Sequence, residues 1–185
     1  MNIMIETCYG AVSEHVIKKA EKIQLLICDV DGVMSDGLIY MGNNGEELKA
    51  FNVRDGYGLR CLLTSGIEVA IITGRQSKLL EDRAKTLGIT YLYQGQHNKL
   101  LAYQQLLDTL NLKPEQTAYI GDDLIDLPVM EKVGLSVAVA DAHPLLTPRA
   151  NYVTRIAGGH GAVRELCDLI LLAQGRLDEA KGLSI

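Results

Sequence analysis

One stretch, Leu25-Leu26-Ile27-Cys28-Asp29-Val30-Asp31-Gly32, constrains most strongly what this chain can fold into. Five of its first six residues are apolar or carry a thiol, the pattern of a strand buried on both faces. The run ends in two carboxylates spaced i, i+2 and then a glycine. On extended backbone that spacing aims both acids the same way, and Gly32 lets the chain turn at once. Two acids at the carboxyl end of a core strand are costly to desolvate unless something cationic sits between them. The stretch therefore predicts a buried strand that delivers acids to a site for a divalent metal and a phosphate.

The remaining pattern surrounds that strand with alternating elements. Residues 1–10 read as frayed, with a leading helix inside the first 23 residues, over 12–22. Residues 37–53 read as a β-hairpin turning at Gly42-Asn43-Asn44-Gly45, since Asn-Gly tolerates positive φ at both positions. Standing after the acid pair, it would act as a flap, too short to be a cap domain. Its apolar Leu38, Ile39, Tyr40 and Met41 exceed what one small hairpin can bury, which fits pairing with another subunit. Beyond it, helices over 55–65, 77–87, 99–110, 123–133 and 162–174 alternate with strands at 68–73, 91–93, 117–121, 135–139 and 152–154. This is the signature of an α/β fold with a doubly wound, mostly parallel sheet, one domain over residues 1–185. Residues 175–185 read as a mobile tail. In such sheets ligands bind at the carboxyl ends of the strands.

Composition narrows the function classes. A net charge of −5, no tryptophan and a single phenylalanine argue against a nucleic-acid partner. The four cysteines are scattered without a C-x-x-C pair, which fits a reduced, cytoplasmic setting. No long apolar run predicts a membrane span or a signal peptide. The four histidines show no zinc spacing, and His160 reads as a surface or interface residue.

Four junctions carry the unusual polar residues: Asp29 and Asp31; Thr73-Gly74-Arg75; Lys99; and Gly121-Asp122-Asp123 with Asp126. Asp-x-Asp-Gly is not a calcium loop, because the glycine falls two places early and position twelve is Tyr40. Taken singly, Thr73 reads as a helix cap, Lys99 as a surface lysine and Asp122-Asp123 as an N-cap. Their order along one face of the sheet is what points to a site: acid pair, hydroxyl, lysine, acid pair.

That order resembles the haloacid dehalogenase-like phosphohydrolase superfamily over nearly the whole chain. A closer resemblance lies with the 3-deoxy-D-manno-octulosonate 8-phosphate phosphatase family. It is carried by Asp29-Val30-Asp31-Gly32-Val33 with Asp36-Gly37, the hairpin, Phe51-Asn52-Val53-Arg54-Asp55-Gly56-Tyr57-Gly58, Ile72-Thr73-Gly74-Arg75 and Gly121-Asp122-Asp123-Leu124 with Asp126. The resemblance implies a capless, Mg²⁺-dependent homotetramer serving lipopolysaccharide synthesis, whose hairpins and tails contact neighbouring subunits. It implies Asp29 as nucleophile, Asp31 as general acid and base, and Thr73 and Lys99 against the phosphoryl oxygens. The metal ligands it implies are Asp29, the Asp31 carbonyl and Asp122, with Asp123 and Asp126 holding waters or Lys99. For a small sugar phosphate carrying a carboxylate, it implies contacts from Asp31, Asn52, Val53, Arg54, Asp55, Gly56, Arg60, Arg75, Arg83 and Lys99.

Two rival readings stand beside this one. A catalytically silent oligomerisation module would show intact tetramers without phosphatase activity. A phospho-accepting receiver would show a phospho-aspartate lasting minutes to hours, but it has no place for Asp122 and Asp123. The glycine-rich residues 158–161 lack a following lysine and read as a hinge, not a nucleotide loop.

Overall fold

The computed structural model describes residues 3–182. It opens on an element the sequence conceals. Instead of fraying, β1 (Met4–Thr7) and β2 (Gly10–Ser13) pair antiparallel, with Ile5 opposite Val12. Val12 is buried and Ile5 packs against the core, so one face of the ribbon is apolar. Gly10 supplies the positive φ of the turn. The leading helix is correspondingly shorter than expected. Ser13 accepts a hydrogen bond from the Val16 N–H and starts α1 (Glu14–Ala20).

The chain then lays down β3 (Leu25–Cys28), β4 (Tyr40–Met41), β5 (Glu47–Leu48), α2 (Val53–Thr64), β6 (Glu68–Ile72), α3 (Lys78–Leu87), β7 (Tyr91–Tyr93) and α4 (Lys99–Leu110). It continues through β8 (Thr117–Gly121), α5 (Leu127–Met130), β9 (Leu135–Ala138), β10 (Tyr152–Val153) and α6 (Ala162–Ala173). Six strands form one sheet in the order β10-β9-β8-β3-β6-β7, and every pairing is parallel. On one face α6 packs against both α1 and α2, with α3 beside α2; on the other, α4 packs against α5. All four residues of β3 are buried, as strands covered on both faces must be.

From β3 the chain winds outward to β6 and β7, then crosses back to β8 on the other side. The strand order therefore reverses between β3 and β8, and a crevice opens at their carboxyl ends. The registers Cys28↔Ile71 and Cys28↔Ile120 level those ends, so the residues following the three strands converge.

Local chemistry accounts for the remaining departures. The Asn52 side chain accepts from the Arg54 N–H at 2.8 Å, which starts α2 two residues earlier than expected. The helix expected over 123–133 is a 3-10 turn, Leu124–Asp126, followed by the single turn of α5, with Pro128 inside its first turn. The hairpin is smaller than residues 37–53 suggest. It has two ladder pairs, Tyr40↔Leu48 and Met41↔Glu47, around a loop closed by Gly42 N–H to Glu46 carbonyl at 2.9 Å. Leu38, Tyr40, Met41 and Leu48 are all exposed on it, while Ile39 is half-buried.

The tail follows α2 as far as it is described. The Thr64 hydroxyl donates to the Lys181 carbonyl at 2.9 Å and Arg176 Nη1 to the Ser65 carbonyl at 2.8 Å, with Leu177 and Ala180 against the core. Residues 183–185 of the expected mobile tail lie outside the described residues. Among those described, all four cysteines are free thiols and no helix is long and apolar enough to cross a membrane.

Candidate active site

Asp29 leaves the end of β3 with its backbone N–H bonded to the Ile120 carbonyl, so β3 and β8 stay paired up to the first acid. The chain then turns sharply, and the Val30 carbonyl accepts the N–H groups of Val33, Met34 and Ser35. Gly32 has φ +84°, and a side chain there would run into the Asp122 carboxylate. Gly158 lies equally close on the other side, where a Cβ would meet the Gly32 carbonyl. The Gly159 N–H bonds the Val33 carbonyl at 2.8 Å. The glycines expected as a hinge are thus a close backbone packing that fixes the turn carrying the acids.

Lys99 sits on the first turn of α4, started by Asn98, whose side chain accepts from the Leu100 N–H. The lysine is 3% exposed. Its Nζ lies 2.8 Å from Asp29 Oδ1 and 2.8 Å from Asp126 Oδ1, and it donates to the Tyr119 hydroxyl at 3.2 Å. Tyr119 in turn donates to Asp126 Oδ1 at 2.6 Å. Asp126 Oδ2 accepts the N–H groups of Asp122 and Asp123 at 3.0 and 3.2 Å. Asp126 is therefore wholly occupied within the protein. A buried ammonium is tolerable only when paired in this way. Burial alone would lower the Lys99 pKa, but Asp29 and Asp126 together outweigh it and hold the group above its ordinary value.

Carboxylate oxygens of Asp29, Asp122 and Asp126 all lie within 4.8 Å of one another. Burial, then the Asp126 charge, pushes the Asp29 carboxyl up to about 6 against the opposing pull of Lys99. Burial, then Asp29 and Asp126, pushes Asp122 up to about 8. One lysine does not neutralise three acids, and the excess negative charge leaves a group that could hold a cation. With Asp126 occupied, the carboxylates left to meet a cation are those of Asp29 and Asp122.

A cavity of about 300 Å³ opens above these groups, lined by Asp29, Asp31, Thr73, Arg75, Lys99, Asp122 and Asp123 among others. Asp123 caps the following turn through the Leu124 N–H at 2.7 Å. Thr73 is buried at the end of β6, but its own N–H is taken by the Tyr93 carbonyl. α3 begins only at Lys78, behind Ser77, so the N–H groups after Thr73 belong to a loop and Thr73 does not cap a helix.

Two residues of the hairpin bond to side chains that line the cavity, and the sequence gives little sign of either. Lys49 Nζ donates to Asp31 Oδ1 at 2.9 Å, and Glu47 Oε2 accepts from Arg75 Nη2 at 3.0 Å. Alternation places Glu47 and Lys49 on one face of the return strand, the only local hint. Tyr119 is also missed, because an inward strand tyrosine reads as core.

A second group of expected site residues is not brought to this cavity within one chain. Asn52 caps α2 and donates to the Gly159 carbonyl at 3.3 Å, whereas Val53 and Arg54 face outward. Arg60 Nη1 donates to the Leu87 carbonyl at 3.0 Å, closing the end of α3. Arg83 lies 5.9 Å over the Phe51 ring and against Gly56. Asp55 Oδ1 accepts from the Arg164 N–H at 2.9 Å.

Known proteins resemble this chain in sequence and fold. A model of haloacid dehalogenase-like hydrolases matches residues 91–166. The 3-deoxy-D-manno-octulosonate 8-phosphate phosphatase of Escherichia coli strain K12 is 78% identical, over 98% of this chain and 96% of its own. The crystal structure of the corresponding Yersinia pestis phosphatase superposes with a TM-score of 0.99 at 74% identity, covering 100% of both chains. That of the Moraxella catarrhalis phosphatase, in complex with a magnesium ion, a phosphate ion and KDO, gives 0.87 at 45% identity over 89% of this chain and 94% of its own.

Proposed function

This chain belongs to the haloacid dehalogenase-like hydrolases, and within them to the 3-deoxy-D-manno-octulosonate 8-phosphate phosphatases; on that footing we propose that it hydrolyses this sugar phosphate through an aspartyl-phosphate. Membership in a phosphatase family decides against both rival readings, the silent module and the receiver. The observation that carries the mechanism is the buried group beneath the cavity, where Lys99 bridges Asp29 and Asp126 and Asp122 stands beside them.

Phosphate monoesters hydrolyse so slowly that catalysis must supply about 20 kcal/mol or more, mostly by positioning and charge neutralisation. Asp29 attacks phosphorus in line, and the bond from phosphorus to the sugar oxygen breaks with its electron pair on that oxygen. Asp31 gives that oxygen a proton. Water then attacks phosphorus, Asp31 takes the water's proton, and phosphate leaves as Asp29 is regenerated. Lys99 sets a fixed positive charge beside Asp29 and the phosphoryl oxygens, with Thr73 at the rim.

Asp29 and Asp122, with the Asp31 carbonyl, fit a hard divalent cation, because they offer only oxygen and carry uncompensated charge. Mg²⁺ bound there would neutralise phosphoryl charge. Asp126 holds Lys99, while Asp123 caps the neighbouring turn.

Substrate recognition is assigned to two places. Asp31, Arg75 and Lys99 act in the cavity. Asn52, Val53, Arg54, Asp55, Gly56, Arg60 and Arg83 stand apart from it and would serve a neighbouring subunit's site in a homotetramer. The exposed Leu38, Tyr40, Met41 and Leu48 support apolar contact between subunits. The reaction belongs to lipopolysaccharide biosynthesis in the cytoplasm.

The test is phosphate release with Mg²⁺ across a panel of phosphorylated sugars. The octulosonate phosphate is expected to be turned over far faster than the others; equal, slow rates would refute the substrate. Asp29→Asn should abolish turnover with the fold intact, and retained turnover would remove Asp29 as nucleophile.

A further inference from the structure

Lys49 comes immediately after a hairpin strand of only two residues, yet its side chain is 1% exposed. A lysine normally keeps its ammonium in water, so a buried one demands anionic partners. Two are present. Nζ donates to Asp31 Oδ1 at 2.9 Å, and Glu47 Oε1 lies 3.6 Å away, beyond a good hydrogen bond. That Glu47 oxygen is buried and has no hydrogen-bond partner, while the other, Oε2, is held by Arg75 at 3.0 Å. Glu47 is therefore clamped from outside and offers charge to Lys49, while the lysine's hydrogen bond goes to Asp31. Asp31 Oδ2 is left without a hydrogen bond, with Arg75 Nε 3.8 Å away.

Resting on the phosphatase reading above, we propose that Lys49 is a positioning residue: it fixes Asp31 by one oxygen and leaves Oδ2 free to pass a proton to the leaving alcohol. Oδ1 is committed to the ammonium, so the carboxyl cannot rotate away from the reacting bond. In the first displacement the proton on Oδ2 moves to the sugar oxygen, which keeps the electron pair of the broken bond to phosphorus. The carboxylate left behind is stabilised by the ammonium, which keeps all of its own protons. The hairpin thus brings in a working part of the site as well as covering it.

The experiment compares esters whose leaving groups need that proton to different degrees. An alkoxide requires protonation to depart, whereas p-nitrophenolate departs without it. The value of kcat/KM reports events up to departure, so it isolates the acid step from the later attack of water. Lys49→Met is expected to lower kcat/KM on the octulosonate phosphate about 100-fold through kcat, and on p-nitrophenyl phosphate less than about 3-fold. Lys49→Arg should restore part of the loss. Lys49→Gln, which keeps a donor without charge, should fall between Met and wild type and serves if the Met variant does not fold. Glu47→Gln, which loosens the clamp but leaves the bond to Asp31, should affect both esters alike.

Equal losses on the two esters, a rise in KM alone, or the same split in Glu47→Gln would overturn the assignment. Those outcomes leave the phosphatase reading standing, because wild-type turnover and its loss in Asp29→Asn report on that reading separately. If wild type releases phosphate from neither ester, the reading falls and the role of Lys49 falls with it.

Discussion

The same device occurs twice beside the cavity, a lysine between two carboxylates, built to different standards. Lys99 projects from a twelve-residue helix and meets two acids at 2.8 Å each, with Tyr119 and two backbone N–H groups completing Asp126. Lys49 comes just after a two-residue strand, meets its acids at 2.9 and 3.6 Å, and leaves one buried carboxylate oxygen without a hydrogen bond. The first is enclosed by the parallel sheet and tied into its core. The second is an outlying strap over the cavity. On the role proposed for Lys49, the difference separates two jobs: keeping charges that the fold must bury in fixed positions, and setting a proton donor that must remain reachable.

The largest effect that could break this contrast comes from Lys99→Met. It strands Asp29 and Asp126 together in the core and should cost about 3–5 kcal/mol. On a chain of this size that lowers the melting temperature by roughly 10 °C, and turnover should vanish with it. Lys49→Met should cost less than about 1 kcal/mol, because its neighbours can rehydrate. Equal melting shifts in the two variants would erase the distinction.

A middle-sized effect is the dependence of stability on metal and pH. Asp29 and Asp122 have folded pKa values raised to about 6 and about 8, above those of an unfolded carboxylate. Between pH 4 and 8 the metal-free folded state therefore binds more protons than the unfolded one, and its stability falls as pH rises. A bound cation replaces those protons. Saturating Mg²⁺ should raise the melting temperature more at pH 8 than at pH 6, which thermal denaturation at both values checks. A larger rise at pH 6 would contradict these environments for the acids.

The smallest effect sharpens the account of the inner cluster. Tyr119→Phe removes one donor to Asp126 without exposing it, and should cost about 1 kcal/mol while leaving most activity. A loss of activity as large as that of Lys99→Met would make the tyrosine part of the chemistry.

How far this was legible depended on the length of each signal. Tyr91–Tyr93, Lys99–Leu110 and Thr117–Gly121 fall where apolar runs bounded by Gly, Asn and Pro place them. Asp29, Thr73, Lys99 and Asp122 stand at junctions that a parallel sheet gathers at one end. The pairing of Met4–Thr7 with Gly10–Ser13 was hidden because four residues show too few alternations to declare a period. Lys49 was hidden because Glu-Glu-Leu-Lys looks like a solvated strand, and only the folding back of the hairpin turns it inward. Asn52 to Gly56, with Arg60 and Arg83, show the opposite limit. They were read from resemblance, and within one chain they lie apart from the acids.

The strand order carries a further consequence for how the molecule comes into being. β3 pairs on one side with β6 and on the other with β8, whose Thr117 lies opposite Leu25. During synthesis at about 5–20 residues per second, β3 and β6 are made a few seconds before β8 emerges. Over that interval an all-apolar strand has one bare edge, and Asp126, the other acid that Lys99 holds, has yet to be made. The crossover to β8 therefore both completes the walls of the pocket and covers the apolar edge through which nascent molecules could associate.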